Sequence, residues 1–95
     1  MAKLDKQHRL LVPKDLAVYC QIQFSQRVGI FLSEIEQSVI IKNPSNLEES
    51  PMIAIVSCDR GRLYLSKEML NILNASFESD FLFYVIKGDL YLRKK

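Results

Sequence analysis

Arg9-Leu10-Leu11-Val12-Pro13-Lys14-Asp15-Leu16 is echoed 53 positions later by Arg62-Leu63-Tyr64-Leu65-Ser66-Lys67-Glu68-Met69. At the same offset Phe24 falls on Phe77, and Val28, Ile30 and Leu32 fall on Phe81, Phe83 and Val85. After a two-residue length change in a turn, Val39 and Ile41 fall on Leu90 and Leu92. Few positions are identical, among them Arg9/Arg62, Leu10/Leu63, Lys14/Lys67 and Phe24/Phe77, yet the apolar positions keep step. A half this short cannot build a sizeable core alone, so a duplicated chain must bury its two apolar faces against each other. The expectation is one domain over 1–95, with a first repeat at 1–43, a linker at 44–51 and a second repeat at 52–95.

Each half reads as strand, turn, strand, helix and hairpin. In the second half Met52 to Ser57 is rich in strand formers, Asp59-Arg60-Gly61 marks a turn, and Arg62 to Leu65 alternates. Ser66 is an N-cap for a helix over Lys67 to Asn74, whose apolar stripe is Met69, Leu70, Ile72 and Leu73. Asn74 suits a left-handed helix end. Asp80 to Ile86 and Leu90 to Arg93 then form a hairpin around Lys87-Gly88-Asp89. The first half repeats the order: Ala2 to Leu4, a turn at Asp5 to His8, and a strand over Arg9 to Val12. Its helix opens at Pro13, with a stripe of Leu16, Ala17, Tyr19 and Cys20. A second hairpin follows over Arg27 to Ser33 and Ser38 to Lys42. Asn43 to Pro51 holds two prolines and no periodicity, as a linker does. The fold class expected is mainly β with two short helices, built as tandem β-β-α-β-β repeats.

Composition narrows the function. Hydrophobic residues make up 48% and charged ones 25%, the balance of a globular chain. No apolar run reaches the roughly 18 residues of a membrane span, and the first residues lack a secretory stretch, so a cytoplasmic location is expected. Thirteen basic residues against 11 acidic ones neither demand nor exclude an anionic partner. Cys20 and Cys58 with one histidine do not make a tetrahedral metal site. A buried thiol is the ordinary expectation for Cys20, and a disulfide is not expected in a reducing compartment. No nucleophile–base pair, carboxylate pair or phosphate loop stands out, so neither catalysis nor a cofactor is expected.

The order "Asp, turn, Arg-apolar-x-apolar-Pro, helix, hairpin", carried best by Leu4 to Leu16, resembles the AbrB/MazE/SpoVT family. The second half carries the turn glycine as Gly61, the arginine as Arg62 and an acidic residue after the helix as Asp80. In typical members two chains interleave into a swapped-hairpin barrel. With both halves on one chain, as in the MraZ-like branch and small archaeal tandem barrels, the resemblance implies a monomeric pseudo-twofold swapped-hairpin barrel, leaving room for weak self-association. Each opening strand would pair within the other half. The resemblance also implies a DNA-binding transcription regulator with double-stranded DNA as partner.

Alternation supports part of that expectation. If Leu10, Val12, Leu63 and Leu65 face inward, Arg9 and Arg62 face outward. Lys14 and Lys67 open the helices, and Lys3, Lys6 and Arg60 add charge near the same turns. The nucleic-acid candidates are therefore Arg9, Arg62, Lys3, Lys14, Lys67 and Arg60, arginine suiting both phosphate and guanine edges. The chain departs from the AbrB-like pattern inside the helices, where Ala17-Val18 and Leu70-Asn71 stand in place of two further arginines. Asp5, Asp15, Asp59 and Glu68 dilute the positive field. The competing expectation is that the arginines pair with these carboxylates and hold the turns, in an interaction barrel whose partner is a protein. His8 stands where the other half has Gly61, a turn position where strain or a surface contact is expected. Phe81, Phe83, Tyr84 and Tyr91 read as core plus one exposed ring before they read as a base-stacking platform.

Overall fold

A computed structural model describes residues 2–23, 27–43 and 52–95, and only the backbone at Ser57 and Asp59. The linker expected at 44–51 and the counterpart of Phe77 at Phe24 lie outside the described residues. The elements follow as β1 (Ala2–Lys3), β2 (Arg9–Leu11), α1 (Lys14–Tyr19), β3 (Arg27–Leu32) and β4 (Ser38–Lys42). They continue as β5 (Met52–Asp59), β6 (Arg62–Tyr64), α2 (Lys67–Ile72), β7 (Asp80–Ile86) and β8 (Asp89–Lys94). The protein is thus mainly β with two short helices, and every strand pair is antiparallel.

The strand order is β1-β7-β8-β4-β3-β5-β6-β2. Both hairpins lie in the middle of this order, joined by β4–β8 pairing of Val39 with Leu92 and Ile41 with Leu90. β1 pairs with β7 and β5 pairs with β3, so each half's opening strand runs along the other half's hairpin. At the ends stand β1 and β2, which are consecutive in the chain through the turn at 4–8. In that turn Asp5 N–H donates to the Arg9 carbonyl at 2.9 Å, and His8 N–H to the Asp5 carbonyl at 3.0 Å.

Alternation sets the core in β2 and β6, while successive residues of β3 and β4 are buried on both faces. Leu10, Val12, Leu63 and Leu65 are all buried, as are Val28, Ile30, Val39, Ile41, Phe81, Leu90 and Leu92. β2 and β6 meet with Leu10 opposite Leu63, Arg9 opposite Tyr64 and Leu11 opposite Arg62. The strands then cross-tie: Val12 N–H donates to the Gly61 carbonyl at 2.8 Å, and Leu65 N–H to the His8 carbonyl at 3.0 Å. These two bonds are the same bond displaced by 53 residues at each end.

The helices begin differently. Ser66 accepts a hydrogen bond from Met69 N–H at 3.2 Å, a side-chain cap, whereas Pro13 opens α1 with no side-chain bond. They end alike, with Gln21 at φ 59° and Asn74 at φ 54° in the left-handed region. α2 stops at Ile72, short of the expected Asn74. The expected stripe of α1 needs one correction: Tyr19 is 69% exposed, while Ala17 is buried and Leu16 and Cys20 pack on the core. With only six residues in the helix, the inward face is spent on positions 16, 17 and 20, which turns Val18 and Tyr19 to the surface. Cys20 is correspondingly half-buried, and Cys58 is buried. The β7–β8 turn is a two-residue one, Lys87 at φ 50° and Gly88 at φ 82°, with Asp89 already in the strand.

Candidate nucleic-acid interface

The outward face of β2 and β6 carries Arg9, Leu11, Arg62 and Tyr64, because their inward neighbours are the core leucines. Arg9 and Arg62 are not directly opposite. Each faces the other strand's apolar residue, so the two cations lie on a diagonal with Leu11 and Tyr64 on the other. Leu11 is 60% and Tyr64 44% exposed. Alternation puts Tyr64 on the Arg62 face, whereas Leu11 as its diagonal partner comes from the register. An outward position in an alternating strand is ordinarily polar.

Asp5 organises the approach to β2. Its Oδ1 accepts from Gln7 N–H and Arg9 N–H, both at 2.9 Å, and its Oδ2 accepts from Arg9 Nε at 3.1 Å. The Arg9 backbone bond, with lesser help from Gln7 and from the Arg9 charge, holds the Asp5 carboxyl below the usual carboxylate range. Arg9 is therefore tied to a turn carboxylate, as the competing expectation had it. The tie uses Nε, and among the described residues the Arg9 Nη groups have no partner. The position equivalent to Asp5 is Cys58, buried on β5, which offers Arg62 no carboxylate. No ion pair to Arg62 occurs among the described residues.

The other candidates are distributed as follows. Lys14 and Lys67 are exposed on the first residues of α1 and α2. Arg60 is exposed in the β5–β6 turn at φ 54°. Lys3 is engaged elsewhere: its Nζ lies 3.3 Å from Asp80 Oδ1 across the β1–β7 pair. A further cation unrelated to the patch, Lys42, pairs with Asp89 at 3.5 Å on the β4–β8 side.

His8 adopts φ 63° and stacks on Phe77, ring centroids 3.8 Å apart at 20°. Both the strain and the surface contact expected at this turn are present. Tyr84 and Tyr91 stack on each other at 5.4 Å, while Phe81 and Phe83 are core residues. Burial first, and the Asp89 carboxylate second, push the Cys20 thiol up, away from the thiolate form that does chemistry. Among the described residues no cluster of three metal-ligating side chains occurs, and no helix is long and apolar enough to cross a membrane.

Comparisons with protein-family models, with curated proteins and with solved structures each returned no significant match.

Proposed function

We propose that this chain is a duplex-DNA-binding protein of the AbrB-like type, a transcription regulator, built as a pseudo-twofold swapped-hairpin barrel. Support for the symmetry comes from the β2–β6 register: with Leu10 against Leu63, exchange of the halves carries Arg9–Tyr64 onto Arg62–Leu11. The strand order also maps onto itself when β1–β4 are exchanged with β5–β8, provided that β2 and β1 are taken as neighbours.

The single observation that carries the DNA reading is the diagonal pair of outward arginines on β2 and β6. Arg9, steadied at Nε by Asp5, presents its Nη groups, and Arg62 is its counterpart across the dyad. Lys14, Lys67 and Arg60 stand at the ends of the neighbouring elements and serve phosphates on either side. Lys3 contributes least, being paired with Asp80. The protein acts as a monomer in the cytoplasm, and neither a cofactor nor catalysis enters the function.

The test is fluorescence anisotropy with a short mixed-sequence duplex at several salt concentrations. Affinity should fall steeply with salt, each neutralised phosphate adding about 0.9 to the log–log slope. Arg9→Ala with Arg62→Ala should abolish binding and leave the melting temperature within a few degrees. Loss of binding and of fold together would make the arginines structural. The second reading, a protein-interaction barrel without DNA contacts, is favoured by the exposed Leu11 and Tyr64 between the arginines. It predicts no duplex binding even at low salt.

A further inference from the structure

Arg9 does not stand on β2 as a bare cation. Its Nε donates to Asp5 Oδ2 at 3.1 Å, while Asp5 Oδ1 accepts from Gln7 N–H and Arg9 N–H, each at 2.9 Å. The carboxylate is thus anchored to the turn backbone, and the guanidinium to the carboxylate. One guanidinium N–H is taken, and those on the two Nη atoms stay available at the tip. The side chain keeps 31% of its surface exposed.

This pairing separates two abilities that a free arginine combines. Arg9 and Asp5 together carry no net charge, so a phosphate gains little from the cation and meets the carboxylate as well. The Nη fork keeps its hydrogen-bonding geometry, which matches the O6 and N7 acceptors of guanine. A fork already held in place also gives up less freedom on binding. The neighbour along the strand agrees. Leu11, the next outward residue of β2, is 60% exposed and offers nothing to a phosphate. It suits the methyl group of a thymine. Two residues of antiparallel strand rise about 6.8 Å, and two base-pair steps of about 3.4 Å cover the same length.

A two-stranded ribbon such as β2–β6 fits the major groove. We propose, resting on the duplex-DNA reading above, that β2 faces base edges there: Arg9, held by Asp5, reads a guanine, and Leu11 meets a thymine methyl about two base pairs away. Asp5 is then a positioning residue that turns a general cation into a reader of one base. The position 53 residues after Asp5 is Cys58, and no ion pair to Arg62 occurs among the described residues. Base reading therefore falls to β2, and Arg62 on β6 is left to the phosphates.

The test uses the full-length protein and a pool of short duplexes randomised over about one helical turn. The bound fraction, sequenced, should be enriched in a guanine with a thymine about two base pairs away. Arg9→Lys keeps the charge without the fork, so the pool should still bind while guanine enrichment falls about tenfold. Arg62→Lys should leave the enrichment in place. Asp5→Asn should lose it, and the log–log salt slope should steepen by about 0.9 as the released Arg9 charge neutralises a phosphate. An Asp5 that only holds the turn would weaken binding without steepening the slope, and that result overturns its positioning role. One arm needs no variant. In an enriched duplex, 7-deazaguanine at the read position removes the N7 acceptor and should weaken wild-type binding about tenfold. Equal binding of guanine and 7-deazaguanine, or a guanine preference that survives Arg9→Lys, would overturn the proposal. Duplex binding with no base preference overturns it too and leaves the duplex reading intact. No duplex binding at low salt removes that reading, and the base assignment with it.

Discussion

Leu10 and Leu63 face each other across the β2–β6 pair, and neither has any exposed surface. They join the first half of the sequence to the second, one leucine from β2 and one from β6. Truncating either one removes packing that the other half relies on. Leu10→Ala and Leu63→Ala are each expected to cost about 2–5 kcal/mol, measured by urea unfolding. Because the two side chains are in direct contact, the double substitution should cost less or more than the sum, not the sum itself.

The Asp5 turn predicts a pH dependence with a definite sign. Its carboxyl is held below its ordinary range in the folded protein, chiefly by the Arg9 backbone N–H. A depressed folded value means that its contribution to stability is complete above the unfolded value, about pH 4, and fades as the pH falls through the lower folded value. Asp5→Asn should flatten that part of the acid limb. Thermal melts of the two proteins between pH 2 and about pH 6 check it.

Ser66 caps α2 through a bond to Met69 N–H, and α1 has no such cap. Ser66→Ala is expected to cost about 1 kcal/mol in chemical denaturation. Pro13→Ser should cost less than the loss of that cap, because a serine there supplies the side-chain acceptor that α1 lacks while giving up the fixed proline φ.

His8 holds a left-handed backbone and rests on Phe77. Replacing it with alanine keeps the backbone cost and loses the ring contact, so a loss of roughly 0.5–1.5 kcal/mol is expected. His8→Gly should recover part of it, and Phe77→Ala should destabilise the wild type but not the glycine variant. Denaturation of the wild type and the four variants reads both effects.

Gly29 lies in the middle of β3, where a Cβ would meet the Phe31 ring at 2.8 and 3.2 Å. Phe31 is itself buried, so the ring has little room to retreat. Gly29→Ala is expected to lose about 1–3 kcal/mol, with the Phe31 ring resonances moving most by NMR.

Much of the element order was legible because its signals are local. Ser66, Pro13 and Asn74 announce helix ends through their own bonding and backbone preferences, and alternation in Arg62 to Leu65 says which side chains are buried. Asp5 and Arg9 are four residues apart, so their ion pair follows from one turn. The inward set of β2 and β6 was legible for the same reason, and with it the outward placement of Arg9 and Arg62. Tyr19 was misread because a stripe counted on residue type alone cannot tell how much of a six-residue helix the sheet covers. Alternation in Arg62 to Leu65 puts Tyr64 on the Arg62 face, but its diagonal with Leu11 follows only from the β2–β6 register, which no local signal encodes.

What the chain's residues determined by themselves was the kind of each element and the identity of its buried face, since both depend on neighbours within a few positions. Only the folded molecule decided that His8 would find Phe77, that Lys3 would be spent on Asp80, and that β5 would run along β3 and β1 along β7. Those contacts join residues far apart in sequence, and no local preference encodes which distant backbone arrives, or how far along the strand it reaches.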